Sequence, residues 1–450
     1  MKLVRFVLVS LCSVLALCGP AATVHAVTLS DSTESNRFAL PNGLQVRTRH
    51  IPNANGVAIT VAYRAGTLYE PAGREGIGDL LAELAYTAPA GDVPERTQAE
   101  MNSLRPLGWG VRTNQHLALL TEVATREQFP GALRQVAARM RGVKITDATL
   151  KDAVLRTRRD LGARFFGEAG LALYYRSADL AYGASDESIV RRASGKGLDG
   201  MNIKEVSALL QRLYVPANGV LTLVGDLSGM DLEKVVLSEF GSIPAGRAAA
   251  ESAPPKFRPG LRAMPWKGLE RAVGVLAVQS PAVTDSLHPS FFLSALITAA
   301  GLPKSWGPAT PPLTTRFQYS LFDDAELVRF YPPVGPGTVD PQGMGEEFSF
   351  RLDELASISV NADQLEQVRS SVAWMLGAPL TPELKRRAQA ESGPLSTLGT
   401  IMATRALWQG DVFWDDYLAR FQSQRYGHSS FYMLMDRPDH QFKLLFTPGK

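Results

Sequence analysis

The sequence predicts a chain of two similar domains, each combining β-rich runs with apolar helices, and three observations carry that prediction. A Pro/Ala/Gly-rich segment over residues 246–260 divides 450 residues into halves of similar size. Each half opens alike, with a β-rich run, a turn-rich loop and an apolar helix: GVAITVAY (Gly56 to Tyr63) leads to the helix at Gly76, and AVGVLAVQ (Ala272 to Gln279) to one near Ser290. The halves also close alike, with GVLTLVGD (Gly219 to Asp226) answered by FKLLFTPG (Phe442 to Gly449), at spacings of roughly 215 to 223 residues. A chain of this length exceeds what one hydrophobic core organises. The expected domains are therefore 27–245 and 261–450, joined by 246–260.

Residues 1–26 read as a secretory leader. Lys2 and Arg5 precede an apolar run from Phe6 to Leu17, and Val24-His25-Ala26 ends in the small residues of a cleavage site. The run is too short to serve as a membrane span, so the mature chain is expected to be exported, with the periplasm as its compartment and no integral membrane segment. Both cysteines, Cys12 and Cys18, fall in the leader, which excludes disulfides and thiolate metal sites from the mature protein. Leu17 is bulkier than the residue that usually precedes a lipidated cysteine. Without Lys2 and Arg5, 45 basic side chains face 44 acidic ones, and so balanced a charge gives no reason to expect nucleic acid as a partner. The basic runs Arg156 to Arg159 and Lys385-Arg386-Arg387 are expected on solvated helix faces.

The segment Gly76-Ile77-Gly78-Asp79-Leu80-Leu81-Ala82-Glu83-Leu84 is the most telling. At about 100° per residue, Ile77, Leu80, Leu81 and Leu84 share a face suited to a core, while Asp79, Ala82, Glu83 and Tyr86 look outward or into a cleft. Together with Asn42-Gly43-Leu44, Tyr69-Glu70-Pro71, Tyr214-Val215-Pro216-Ala217-Asn218, Val224-Gly225-Asp226 and Phe240-Gly241-Ser242-Ile243-Pro244, this helix resembles the insulinase, pitrilysin and mitochondrial processing peptidase family. The resemblance spans nearly all of the mature chain and is firmer in its first half. It implies an α+β fold of two similar domains, each a mainly antiparallel sheet with helices on one face, forming a clamshell-like chamber.

In that family the helix carries His-x-x-Glu-His, two zinc ligands and a base that activates water. The matching positions here are Asp79, Ala82 and Glu83. The family's third ligand, a glutamate on a following helix, falls on Asp160, and a further glutamate one heptad earlier falls on Ala153. Ala82 cannot accept a proton, and no imidazole is left to favour zinc. The other histidines of the mature chain, His50, His116, His288, His428 and His440, show no pair at ligand spacing. The family's arginine and tyrosine, seven residues apart in the second domain, fall on Phe322 and Arg329 in a weaker match.

The resemblance thus implies a non-catalytic homologue: an inactive subunit completing the chamber of a periplasmic zinc peptidase, with zinc only in a partner that bears intact His-x-x-Glu-His. Two other readings stay open, a stand-alone peptide-binding or scaffold protein, and a metallopeptidase with a hard cation on Asp79, Glu83 and Asp160. In non-catalytic subunits of the processing peptidase a glycine-rich loop takes part in recognising substrate. The segment at a similar place, AGLPKSWGPATPPLTT (Ala300 to Thr315), makes Gly301, Lys304, an exposed-looking Trp306 and Gly307 the candidates for contact with a peptide.

Overall fold

The computed structural model describes residues 35–449 apart from 251–255, 320, 323–325, 336–340, 357, 359, 425–434 and 436; the expected leader lies outside the described residues. The first half begins with β1 (Ser35–Ala39), β2 (Gln45–His50) and β3 (Val57–Tyr63), followed by α1 (Ile77–Thr87) and α2 (Gln98–Leu104). A hairpin of β4 (Trp109–Thr113) and β5 (Ala118–Ala124) leads into α3 (Phe129–Arg141), α4 (Asp147–Phe166), α5 (Ala169–Ala181), α6 (Asp186–Ser194) and α7 (Ile203–Leu213). β6 (Gly219–Gly225) and α8 (Leu232–Phe240) close it.

The second half runs β7 (Gly260–Lys267), β8 (Val273–Gln279), α9 (His288–Ala300), β9 (Phe317–Gln318) and β10 (Leu327–Phe330). Five helices follow, α10 (Pro341–Ala356), α11 (Ala362–Leu376), α12 (Pro382–Ala390), α13 (Gly393–Trp408) and α14 (Asp411–Ser423), before β11 (Gln441–Gly449).

Both halves build the same sheet. Strand order is β1-β2-β6-β3-β5-β4 in the first and β7-β11-β8-β10-β9 in the second. β2 runs parallel to β6, as β7 does to β11, and the remaining neighbours are antiparallel. β7 thus takes the place of β2, β11 of β6, β8 of β3, β10 of β5 and β9 of β4. The duplication expected from the repeated segments is a duplication of topology.

The alternation within β3 explains how the halves join. Val57, Ile59, Val61 and Tyr63 are the larger residues on one face and enter the core under the helices of their own half. Ala58, Thr60 and Ala62 leave the other face nearly flat, yet the whole strand is buried. A strand buried on both faces must be covered twice, and the second cover comes from the opposite half: α13 crosses β3, β5 and β6. Ala403, Ala406 and Leu407 of α13 cluster with Ala62, Leu119 and Val220. At Gly399 an added Cβ would lie 2.8 Å from Thr60 Oγ1, and Thr222 Oγ1 donates to the Gly399 carbonyl at 2.9 Å. The exchange is reciprocal. α5 of the first half packs on β8 and β11, where Ala172 and Leu173 join Val275, Ala277, Leu444 and Phe446 in one apolar cluster. Each sheet therefore has its own helices on one face and a helix of the opposite half on the other.

Candidate functional site

The site is built on α1 and α4. α1 has no capping side chain at Gly76, its first residue boundary, where φ is 93°. The buried Glu70 carboxylate takes that role from outside, accepting the Gly76 and Gly78 amides at 3.0 Å each. An anion at this point satisfies orphan donors and complements the positive end of the helix dipole. Arg192 of α6 donates to the same carboxylate at 2.7 Å. Burial nonetheless lifts the Glu70 carboxyl to about 7, against the lowering pull of Arg192. α4 is started by Thr146, whose side chain accepts the Thr149 amide.

Ile77, Leu80, Leu81 and Leu84 point into the core of the first half, as their spacing predicts. The opposite face is not open. Ala82 is fully buried, and it belongs with Ala153 to the same hydrophobic cluster, so the positions of a base and of a supporting glutamate are both filled by alanine in a core. Asp79 is only 8% exposed, and α4 covers it.

The carboxylates on this face are taken up by arginines of α4. Asp79 Oδ1 accepts from Arg164 Nη1 at 2.8 Å, and Arg164 also pairs with Asp160, one turn earlier on α4. Glu83 Oε1 accepts from Arg156 Nε at 2.6 Å. Arg156, Asp160 and Arg164, four residues apart, form one stripe along the helix. Burial disfavours charge on Arg164, but Asp79, Tyr175 and Asp160 outweigh it and hold the guanidinium protonated beyond the ordinary arginine value. Arg156, expected on a solvated face, instead turns in to Glu83.

These residues do not fit zinc. The donors are carboxylates alone, each already committed to a guanidinium, and the position of the base is an alanine methyl. Nor are Asp79, Glu83 and Asp160 gathered into one oxygen donor set. Among the described residues no group of three or more His, Cys, Asp or Glu is placed to hold a metal ion.

Beside this stripe lies a cavity of about 100 Å³, lined among others by Asp79, Arg164, Tyr174, Tyr175, Arg192 and, from the second half, Gln318. It opens where α1, α4 and α5 meet the hairpin of β4 and β5. β4 ends its sheet, with one edge bonded to β5 and no strand on the other among the described residues.

No family model and no curated protein matches the chain. Solved structures do. A protease from Helicobacter pylori superposes with a TM-score of 0.66 at 16% identity, covering 92% of this chain and 99% of its own. The peptidase M16 inactive domain from Pseudomonas fluorescens gives 0.64 at 12%, with 92% and 98% covered. The periplasmic protease PqqL from Escherichia coli gives 0.59 at 12%, with 94% of this chain lying on 48% of PqqL. The chain has the M16 peptidase fold.

Two further M16 expectations concern the second half. Phe322, at the family's arginine position, is a core residue packed against Trp414 with ring centroids 5.0 Å apart. Arg329, at the tyrosine position, is buried on β10, with its guanidinium 4.3 Å from the Tyr174 ring centroid and its Nε donating to Ser177 Oγ at 3.2 Å. Neither residue lines the cavity.

The candidate loop requires a correction. Trp306 is not exposed but buried, and its Nε1 donates to Glu354 Oε2 of α10 at 3.1 Å. Ser305 Oγ donates to the other oxygen of Glu354 at 2.6 Å. The indole is an anchor that holds the loop to the core, because an amphipathic ring with one polar partner is well placed under a surface segment. Gly301, Lys304 and Gly307 remain exposed, while Pro312, farther along, closes against Gly170 of α5 and leaves no room there for a Cβ.

Among the described residues the histidines supply no ligand pair. His50 accepts from the Leu227 amide at 3.1 Å, His116 stacks near Trp408, His288 is buried between two tyrosines, and His428 lies outside the described residues. The residues that sequence reading missed are Arg164, Arg156, Glu70 and Arg192. The first two had a signal in their spacing around Asp160, four residues either way.

Proposed function

We propose that this protein is a non-catalytic M16-fold subunit that completes the substrate chamber of a zinc peptidase whose other subunit carries intact His-x-x-Glu-His. The observation that carries the reading is the stripe of Arg156 and Arg164 on Glu83 and Asp79. Guanidinium charge occupies the acidic positions of the helix, while the cavity beside them stays open. The fold is kept and its centre is neutralised, which is what a wall of a chamber requires and a catalyst does not. Two solved neighbours support the reading: one is an inactive M16 domain, and in PqqL, whose fold this chain matches over 94% of its own length, the match takes up only 48% of the protein. Export to the periplasm accords with the leader and with PqqL. No helix among the described residues is long and apolar enough to cross a membrane.

A second reading, a stand-alone peptide-binding protein, is favoured by the open edge of β4 beside the cavity, since a free edge can accept an extended peptide without cutting it. Tagged mature protein recovered from its own cell envelope distinguishes the two. Stoichiometric recovery of a homologue with intact His-x-x-Glu-His, and hydrolysis only by the pair, supports the first. Recovery alone with peptide bound supports the second. Chelator-sensitive cleavage by the purified chain by itself overturns both.

A further inference from the structure

Past the C-terminal end of α1, where α2, α3 and β5 converge, three arginines are buried around a single carboxylate. Arg96, Arg105 and Arg139 are 3%, 5% and 8% exposed, and Glu122 is 1% exposed. Arg96 Nη1 and Arg105 Nε donate to the same oxygen, Glu122 Oε2, at 3.2 and 3.0 Å. Both also reach Gln135 Oε1, Arg105 through Nη2 at 3.0 Å. Arg139 spends its two terminal nitrogens on the carbonyls of Gln135 and Pro94, at 3.5 and 3.2 Å. One negative charge thus faces three positive ones out of reach of bulk water, and uncompensated buried charge is among the least favourable arrangements in a protein.

The same cluster contains unpartnered polar atoms. Arg139 Nε, Tyr86 Oη and Glu122 Oε1 are buried and have no hydrogen-bond partner among the described residues. Tyr86, on α1 one turn after Ala82, is 3% exposed. Its ring lies 5.6 Å from the Arg96 guanidinium and stacks on Trp109 of β4 at 5.7 Å. Buried donors are nearly always satisfied. Two of them without acceptors, in a region with surplus positive charge, suit a ligand that accepts hydrogen bonds and is itself negative, bound on their side of the cluster rather than at Glu122 Oε1.

The geometry points to a small-anion site here, taking a monovalent ion of chloride size between Tyr86 Oη, Arg139 Nε and the Arg96 and Arg105 guanidiniums. A single charge halves the surplus, and chloride loses less hydration on burial than a phosphate dianion does. Burial and the neighbouring Arg96 also pull Arg139 down to about 9, the strain that such an anion relieves. The ion ties the tail of α1 and the segment before α2 to α3. It sits directly behind Trp109, and so behind the open edge of the first sheet.

The test uses the full mature chain, with chloride exchanged for gluconate at constant ionic strength. Chloride is expected to raise the thermal midpoint to a plateau, as a ligand of the folded state does, and to give excess ³⁵Cl NMR line width. Tyr86→Phe and Arg139→Gln should each weaken chloride binding roughly tenfold, the worth of a hydrogen bond to a charged group. Equal midpoints in chloride and gluconate with no excess line width overturn the proposal, and so does a chloride effect that Tyr86→Phe leaves unchanged. If Arg139→Gln does not fold, the wild-type line width and Tyr86→Phe decide.

Discussion

His288 offers a stability measurement whose size follows from its surroundings. It opens α9 and is fully buried, with Tyr417 Oη 2.6 Å from Nδ1 and Tyr319 Oη 3.0 Å from Nε2. A neutral imidazole has one donor and one acceptor, which suits two phenols. Burial, aided by Arg420 and opposed by Asp285, pulls its pKa from 6.5 down to about 3. The unfolded chain binds a proton at this residue below about 6.5, whereas the folded protein does so only near 3. The stabilisation is therefore complete above pH 6.5 and is lost as pH falls from there towards 3, at about 1.4 kcal/mol per unit. By pH 5 the loss is about 2 kcal/mol. Urea unfolding between pH 7.5 and 5 can be followed by tryptophan fluorescence, since Trp414 lies against Tyr417 with ring centroids 5.3 Å apart. His288→Gln is less stable than wild type throughout, but its loss between those two pH values should be smaller by that same amount. Identical losses in the two proteins would show that His288 is not held neutral by the fold.

Two other perturbations test the site and the joining of the halves. Arg164→Met leaves the buried Asp79 without its ion-pair partner and should cost about 3–5 kcal/mol; adding Asp79→Asn should recover most of that in thermal melts, and failure to recover would mean that the pair is not the source of the loss. Gly399→Leu drives a side chain into Thr60, where even a Cβ stands only 2.8 Å from Oγ1. Overpacking of about 1–3 kcal/mol and faster proteolysis between the halves are expected, and an unchanged digestion pattern would refute the close crossing of α13.

Much of the architecture was legible because it is written twice. The repeated segments at Gly56 and Ala272, and at Gly219 and Phe442, are the central strands β3, β8, β6 and β11 of two sheets with one topology. The altered residues of α1 were equally plain, since side-chain chemistry at a position needs no tertiary information. What stands opposite them did need it. Arg156 reads as an ordinary helix-surface arginine, and nothing singles out Arg164, until α4 is laid across α1. Trp306 was misjudged because its glycine- and proline-rich neighbours suggest a surface segment, while Glu354, the residue that draws it inward, lies on a different element. The small side chains of Ala58, Thr60 and Ala62 carried the most information that went unread. An alternation of large and small residues in a strand with no charged side chain marks a face meant for close approach of another backbone.

The crossing of α5 and α13 bears on how this chain could have arisen and how it can move. Once each sheet depends on a helix encoded in the other half, neither copy of the ancestral unit remains a complete object. Cutting the chain at its middle would give two fragments, each with a bare apolar sheet and a homeless helix, and the same bareness would result if the halves swung apart to admit a substrate. On the proposed reading, in which a peptide enters a chamber, its way in is therefore to be sought at the outer boundary of this molecule rather than along the seam within.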